Sequence, residues 1–180
     1  MVNEETFLPW ITHSAIKWLE AVSRPDDRVF EWGSGRSTVW FAGRVSSVIS
    51  IESDPEWFRK VRGWLAEEGL GNVELKFIGK EPVMAWKPYV NEIRTYQGGF
   101  DIIFVDGDLE TRTPCAAAAV EVAGSETIIM LDNSVRMAEA AKVLEAWAEE
   151  YVTFYGMGRG GRKWGTTFYY GKPQSGEVGS

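Results

Sequence analysis

Short apolar runs alternate along the chain with longer segments in which apolar residues recur every three or four positions. The runs are typical of β-strands and the longer segments of amphipathic helices. Asp54 and Pro55 open one helix, since Asp caps free amides and Pro tolerates the first helical turn. The pattern predicts seven strands, at residues 28–31, 48–51, 73–78, 100–105, 127–131, 151–155 and 166–170. It predicts helices at residues 12–22, 37–42, 54–69, within 82–96, at 113–124 and at 138–149.

Several predicted strands are apolar on both faces, as strands are when helices cover both sides of a sheet. Alternation of strands and helices indicates a parallel sheet with right-handed crossovers. The last two strands are joined only by a glycine-rich stretch, residues 156–165, which cannot hold a crossover helix, so these strands should be antiparallel. The predicted fold class is α/β: a doubly wound, mostly parallel seven-stranded sheet with a terminal antiparallel strand and helices on both faces.

The length of 180 residues indicates one domain, residues 1–172, followed by a flexible tail, residues 173–180. The formal charge is −7, and this acidic balance argues against nucleic-acid and membrane partners. Cys115 is the one cysteine, which excludes an internal disulfide. The N-terminal residues do not form a secretory signal, and no apolar run approaches the ~20 residues that cross a membrane. We predict a cytoplasmic monomer or homodimer that acts on a small molecule.

Two predicted strand ends carry residues typical of a nucleotide-binding turn. The first strand runs into Gly33 and Gly35, which let a ligand approach the backbone before the next helix begins. Glu52 ends the second strand, 21 positions after Glu31 (52 − 31), where doubly wound folds place an acid that accepts ribose hydroxyls. Alternatively, the glycines form an ordinary strand-to-helix turn, and Glu52 is an exposed acid that caps the following helix.

Four segments, VFEWGSGRSTVWFA, VISIESDPEW, FDIIFVDGD and IIMLDNS, lie in this order within residues 28–171. In order and spacing, with the terminal hairpin, they resemble the class I S-adenosylmethionine-dependent methyltransferases. The resemblance implies a Rossmann-like fold, S-adenosylmethionine as cofactor, and an N-terminal helical segment, residues 1–27, over the substrate pocket. The cofactor contacts that it implies are Glu31, Gly33, Ser34, Gly35, Ser37, Glu52, Ser53, Ile78 and Asp106.

Within this set, the resemblance places Glu52 at the ribose, Ser53 near the adenine and Asp106 beside the methyl-transfer site. A side chain at Gly33 is expected to occupy the space of the cofactor's methionine portion. The turn after the third strand departs from the family pattern, so Ile78 is assigned to the adenine only as the apolar residue in that turn.

Acidic residues after the fourth and fifth predicted strands suggest a metal-binding site. Asp106, with Asp132 26 positions later (132 − 106) and Asn133 next to it, resembles the metal-binding set of catechol-type O-methyltransferases. Three hard oxygen ligands suit Mg²⁺, which could hold a substrate hydroxylate. Alternatively, Asp106 orients the cofactor or acts as a base, and Asp132 begins a loop. We favour the metal-free alternative because no fourth ligand is evident.

The implied activity is methyl transfer to a small-molecule acceptor, with a hydroxyl as the expected acceptor group. A hydroxyl needs a base or a metal to become nucleophilic, and the candidate catalytic residues are Asp106, Asp108 and His13. His13 is the only histidine, although a lone histidine is more often a surface or packing residue. Two alternatives stay open: an NAD-dependent oxidoreductase on a related sheet, against which a missing third glycine counts, and a cofactor-binding module without turnover.

Seven of the nine tryptophans divide into two groups by position. Those at helical spacings are predicted to lie in the core: Trp18, Trp57, Trp64 and Trp147. Those at strand ends or in loops are predicted to line a pocket: Trp10, Trp32 and Trp164.

Overall fold

The computed structural model describes residues 7–79, 86–157 and 163–171; the predicted tail, residues 173–180, lies outside these ranges. The helices are α1 (His13–Val22), α2 (Arg36–Ala42), α3 (Pro55–Glu67), α4 (Lys87–Asn91), α5 (Arg112–Val122) and α6 (Ala138–Trp147). The strands are β1 (Arg28–Trp32), β2 (Ser47–Glu52), β3 (Val73–Phe77), β4 (Ile102–Val105), β5 (Ile128–Leu131), β6 (Ala148–Met157) and β7 (Lys163–Gly171). Short 3₁₀ helices cover Glu92–Thr95 and Ser134–Arg136. Within these ranges no helix is long and apolar enough to cross a membrane.

The strands form one sheet in the order β3-β2-β1-β4-β5-β7-β6. Strands β1 to β5 pair in parallel, and β7 runs antiparallel to both β5 and β6. The predicted fold class, with its single reversed strand at the end of the chain, is confirmed. The strand order reverses between β1 and β4, and in open parallel sheets ligands bind outside the carboxyl ends of the strands at such a point.

Helices cover both faces of the sheet and enclose two apolar layers. Helices α1, α2 and α3 contribute to one layer, around Trp40 and Phe41, while α4, α5 and α6 contribute to the other. Successive residues of a strand point to opposite faces, so Val29 enters the first layer and Trp32 the second. By the same alternation, Glu31 points toward the α2 side, where it is completely buried.

The terminal hairpin is longer than the sequence pattern predicts. Strand β6 begins at Ala148, directly after α6, and pairs with β7 out to Met157 and Lys163. The predicted glycine-rich loop at residues 156–165 was therefore wrong in extent, as was the helix end at residue 149. A Cβ atom at Gly165 would lie 2.7 Å from a methyl carbon of Val135, so this glycine lets β7 pack against the 3₁₀ helix.

Candidate active site

A cleft of about 1260 Å³ opens at the carboxyl ends of the central strands. Its walls come from the β1–α2 turn, the β2–α3 connection, the β4–α5 loop and the N-terminal segment around Trp10. Pockets for one small ligand usually measure about 300–1,000 Å³. The cleft therefore has room for two ligands side by side.

Gly33 brings the β1–α2 turn against the β4–α5 loop. Its φ is +91°, and a Cβ atom there would lie 2.7 Å from the Asp106 carbonyl oxygen and 2.8 Å from the Gly107 Cα. The expectation that a side chain at Gly33 would first meet the cofactor is corrected: the nearest obstacle is this backbone. Gly35 differs, because its Cβ would be 3.8 Å from its nearest neighbours, an ordinary contact distance.

Glu31 lies beneath this turn and is absent from the described residues that line the cleft. Its carboxylate accepts hydrogen bonds from the hydroxyls of Ser37, Thr38 and Ser50. The Thr38 hydroxyl also accepts from the Gly35 amide at 2.9 Å, which links the buried acid to the turn. Burial raises the pKa of Glu31 from 4.5 to about 7, and the three hydroxyl donors oppose that rise. Direct contact of Glu31 with a cofactor stays a prediction; the bonds observed here support the turn.

Glu52 ends β2 and lines the cleft. Its Oε1 accepts the backbone amides of Ser53 and Asp54 at 2.7 and 2.8 Å, and its Oε2 accepts the Ser34 hydroxyl at 2.8 Å. Burial raises the pKa of Glu52, while these donors oppose the rise. A carboxylate has about four acceptor sites, so one remains open on Oε2. A second opens if the Ser34 hydroxyl turns away.

Tryptophans form part of the cleft wall, but not all of those predicted. Trp57 lines the cleft, 5.7 Å from Trp10 between ring centroids and 4.5 Å from the Lys60 ammonium. It was predicted to lie in the core, and it does pack, partly buried, against the layer of α1, α2 and α3; it also lines the cleft because the first turn of α3 faces it. Trp32 was wrongly assigned to the wall: it is completely buried, and its indole donates to a backbone carbonyl. Trp164 lines the cleft as predicted.

Ile78 follows β3 beside Glu52, whose backbone carbonyl accepts the Ile78 amide at 2.8 Å. Its side chain packs against the layer formed by α4, α5 and α6, and among the described residues it does not line the cleft. Residues 80–85, which continue this turn, lie outside the described ranges. The adenine contact of Ile78 therefore stays a prediction.

Asp106 and Asp132 lie on opposite sides of a buried arginine. The Nη2 atom of Arg112 donates to Asp106 Oδ1 at 2.7 Å, and its Nη1 donates to the Asp132 carbonyl and lies 4.0 Å from Asp132 Oδ2. The Asp132 carboxylate also accepts the Trp164 indole at 2.8 Å and the Thr166 hydroxyl at 2.9 Å. Burial and the Asp132 charge raise the pKa of Asp106, and Arg112 opposes this rise. Burial also raises the pKa of Asp132.

These contacts involve two of the three residues predicted to bind Mg²⁺. Asp106, Asp132 and Asn133 are brought together, and Asn133 Oδ1 is buried without a hydrogen-bond partner in the described part of the chain. However, the guanidinium already lies against Asp106, and the Trp164 indole and the Thr166 hydroxyl donate to the Asp132 carboxylate. Among residues 7–79, 86–157 and 163–171, no group of three or more His, Cys, Asp or Glu side chains is placed to hold a metal ion, so the predicted set reaches three ligands only through the Asn133 amide. The arrangement therefore does not fit Mg²⁺, which needs an octahedral set of oxygens.

The other two candidate catalytic residues lie in different surroundings. Asp108 is exposed on the β4–α5 loop and lines the cleft. His13 begins α1 and is exposed, and among the described residues it does not line the cleft. Thr12, the N-cap of α1, is buried and bonds the Phe154 carbonyl at 3.2 Å. Since successive helical residues are rotated by about 100°, this anchoring turns His13 outward.

No protein-family model matches the chain. The catechol O-methyltransferase of Mycobacterium tuberculosis is 29% identical over 115 residues, which make up 61% of this chain. The chain spans about half (49%) of the length of that curated relative. The O-methyltransferase from Bacillus cereus, solved in complex with SAH (S-adenosylhomocysteine), superposes with a TM-score of 0.71 and 21% identity, covering 94% of this chain and 87% of that chain. An rRNA methylase from Streptococcus thermophilus superposes with a TM-score of 0.68 and 11% identity, covering 89% of this chain and 96% of that chain.

The chain has the class I methyltransferase fold. The resemblance predicted from the four sequence segments is therefore confirmed, and the cleft lies at the point where this methyltransferase fold reverses its strand order. The neighbouring structures include O-methyltransferases and an rRNA methylase, so the methyltransferase fold alone does not choose an acceptor.

Two residues of the cleft were missed by sequence reasoning. Tyr89 in α4 lines the cleft, and its buried hydroxyl has no hydrogen-bond partner in the described part of the chain. Arg112 is 6% exposed and connects the β4 and β5 ends. A tyrosine within an irregular segment and an arginine near a helix start give no periodic signal. Only the three-dimensional convergence of the strands identifies them.

Proposed function

We propose that this protein transfers a methyl group from S-adenosylmethionine to a hydroxyl of a small acceptor molecule. The observation that carries the proposal is the placement of Glu52 and Asp106 in one cleft, on either side of the Gly33 turn. Glu52 stands where a ribose would be held, and Asp106 where the acceptor would meet the methyl group. The names of the catechol and Bacillus cereus O-methyltransferases support transfer to oxygen.

The cleft suits the cofactor at three points. Glu52 keeps one acceptor site open on Oε2 for a ribose hydroxyl. The Tyr89 hydroxyl is a buried donor without a partner in the described part of the chain, which a polar atom of the cofactor would satisfy. Ser34 and Ser53, which both donate to Glu52, line the same wall. We assign these four residues to the cofactor.

For methyl transfer the protein mainly has to position the acceptor hydroxyl and to remove its proton. Bound S-adenosylmethionine supplies an activated methyl group, which passes to the acceptor oxygen as its bond to sulfur breaks. Asp106 lies in the cleft and takes the proton of the acceptor hydroxyl, and burial raises its pKa, which makes its carboxylate a stronger base than a free aspartate. Asp108, exposed on the same loop, is the alternative base. His13 lies away from the cleft wall, so we assign the proton to Asp106.

A small acceptor fits the remaining part of the cleft. Trp10, Leu109 and Met157 line it and keep large apolar side chains exposed to solvent. Such side chains suit an acceptor with an apolar or aromatic portion. The acidic charge of −7 argues against a nucleic-acid backbone as the partner.

Titration calorimetry with S-adenosylmethionine tests the cofactor assignment. Glu52→Gln removes the carboxylate charge, and a charge-assisted hydrogen bond contributes about 1.5–3 kcal/mol, so we expect affinity to fall by about tenfold or more. Glu67→Gln, on the exposed side of α3, is the matched control and should bind as the wild type does. Equal affinity of a folded Glu52→Gln variant and the wild type would contradict the ribose assignment.

Two further experiments distinguish the proposed methyl transfer from the two alternative functions. Binding of NADH in place of S-adenosylmethionine would favour the oxidoreductase. Product analysis with radiolabelled methyl donor, over a panel of catechols, other small hydroxyl compounds and ribosomal RNA, identifies the acceptor class. Cofactor binding without methyl transfer to any member of the panel would favour a module without turnover.

A further inference from the structure

Arg112 holds together the two loops that carry the acids of the cleft. Its Nε donates to the Gly107 carbonyl at 2.9 Å, and its Nη2 donates to both the carbonyl and the carboxylate of Asp106, at 3.2 and 2.7 Å. Its Nη1 donates to the Asp132 carbonyl, with Asp132 Oδ2 at 4.0 Å. A guanidinium has five N–H donors, and every nitrogen of Arg112 is engaged by these two loops.

The guanidinium also supplies the charge that buried acids need. The Asp132 side chain is 2% exposed and that of Asp106 25%, and two carboxylates this close repel one another. Buried acids are tolerated only when a cation or several donors compensate them. Arg112, whose side chain is 7% exposed, is that cation, and it comes from the first residue of α5.

We propose that Arg112 takes the position that a divalent cation would occupy between Asp106 and Asp132, so that the site works without a metal. The inference rests on the proposed methyl transfer, since it assigns the positioning of the proposed base. Arg112 is a positioning residue: its donors face the protein, and it fixes Asp106 through Oδ1. Asp106 Oδ2 has no donor within the described ranges and is left for the acceptor hydroxyl.

Binding of Mn²⁺, followed by electron paramagnetic resonance in the absence of cofactor and acceptor, tests the proposal. We expect no binding by the wild type at millimolar Mn²⁺. Arg112→Ala leaves two uncompensated carboxylates, so this variant should bind Mn²⁺, and the double variant R112A/D132N should lose that binding. Arg94→Ala is the matched control, since Arg94 pairs with Glu121 on the surface. Wild-type binding that Asp132→Asn abolishes would overturn the proposal, as would an Arg112→Ala protein that does not bind Mn²⁺.

Activity supplies an independent readout. Wild-type turnover should survive exhaustive chelation, and a loss that Mg²⁺ alone restores would overturn the proposal. Arg112 opposes the rise in the pKa of Asp106, so Arg112→Ala should move the acid limb of the kcat profile to higher pH. Arg112→Lys keeps the charge and should show a smaller displacement; it also serves if Arg112→Ala does not fold. Failure of methyl transfer with every acceptor would refute the proposed function, whereas the Mn²⁺ measurement would still decide the role of Arg112.

Discussion

At the scale of single residues, the turns around the cleft depend on buried acids that accept hydrogen bonds from neighbouring groups. Glu31 is the clearest case, because three hydroxyls surround a carboxyl group that no solvent reaches. Glu52 likewise accepts three hydrogen bonds. The Asp132 carboxylate accepts the Thr166 hydroxyl, and its two oxygens share the single N–H of the Trp164 indole. These bonds hold the turns around the acids in one conformation.

The raised pKa of Glu31 predicts a pH-dependent stability. In the folded protein the pKa of Glu31 is raised from 4.5 to about 7. Between these two pH values the folded state therefore holds a proton that the unfolded state has lost. The contribution of this group is therefore full at low pH and is lost as the pH rises to about 7. Relative to Glu31→Gln, which does not titrate, the wild-type free energy of unfolding should fall by about 3 kcal/mol over this range.

Urea denaturation of both proteins at several pH values measures this difference, and the other titrating groups cancel in the comparison. A difference that stays constant between pH about 4.5 and about 7 would show that Glu31 keeps its ordinary pKa.

At the scale of elements, two loops pack backbone against backbone at the switch point. Gly33 in the β1–α2 turn touches the Asp106–Gly107 backbone of the β4–α5 loop, and Arg112 joins that loop to the end of β5. The carboxyl ends of β1, β4 and β5 are therefore connected through contacts to backbone peptide groups. The cleft keeps its shape because these connections leave little freedom to the loops that form it.

The two glycines of the β1–α2 turn should respond differently to substitution. Gly33→Ala combines a strained φ of +91° with overlap against the Asp106 carbonyl, and we expect it to lower the free energy of unfolding by at least about 2 kcal/mol. Gly35→Ala has ordinary contacts and an extended φ of −179°, so its stability should match that of the wild type. Chemical denaturation of the two variants side by side measures the contrast; equal loss at both positions would contradict it.

At the scale of the whole molecule, much of the architecture could be predicted from the sequence. The alternation of apolar runs and helical segments identified all seven strands, and the short connection before residue 166 indicated the reversed strand. Glu52 and Asp106 could be predicted as residues of the cleft, Glu52 from its position at a strand end and Asp106 from the family resemblance, and both line it. Arg112 and Tyr89 could not, because their burial follows from the convergence of distant loops. His13 could not be placed because the rotation of α1 is set by contacts of Thr12 with β6 and β7.

Cofactor binding should stabilise the entire domain. A ligand at about 100 times its Kd adds about 2.7 kcal/mol to the free energy of unfolding, and each kcal/mol raises the Tm of a domain of this size by about 2–4 °C. S-adenosylhomocysteine at that excess should therefore raise the melting temperature by roughly 5–10 °C, measured by differential scanning calorimetry. NADH at the same concentration is the control, and a larger rise with NADH would contradict the cofactor assignment.

The close stacking of backbone at the switch point has a consequence for how this cleft can change during evolution. Gly33 lies against Gly107, and a Cβ atom at Gly107 would in turn overlap the hydroxyl of Tyr89. Positions 33, 107 and 89 therefore form a column in which neither glycine can gain a side chain unless its neighbour changes as well. A smaller residue at position 89 would have to arise first, and only then could position 107 acquire a side chain and present new chemistry to the bound nucleoside. In lineages that diverge from this chain, we expect positions 89 and 107 to change together and in that order.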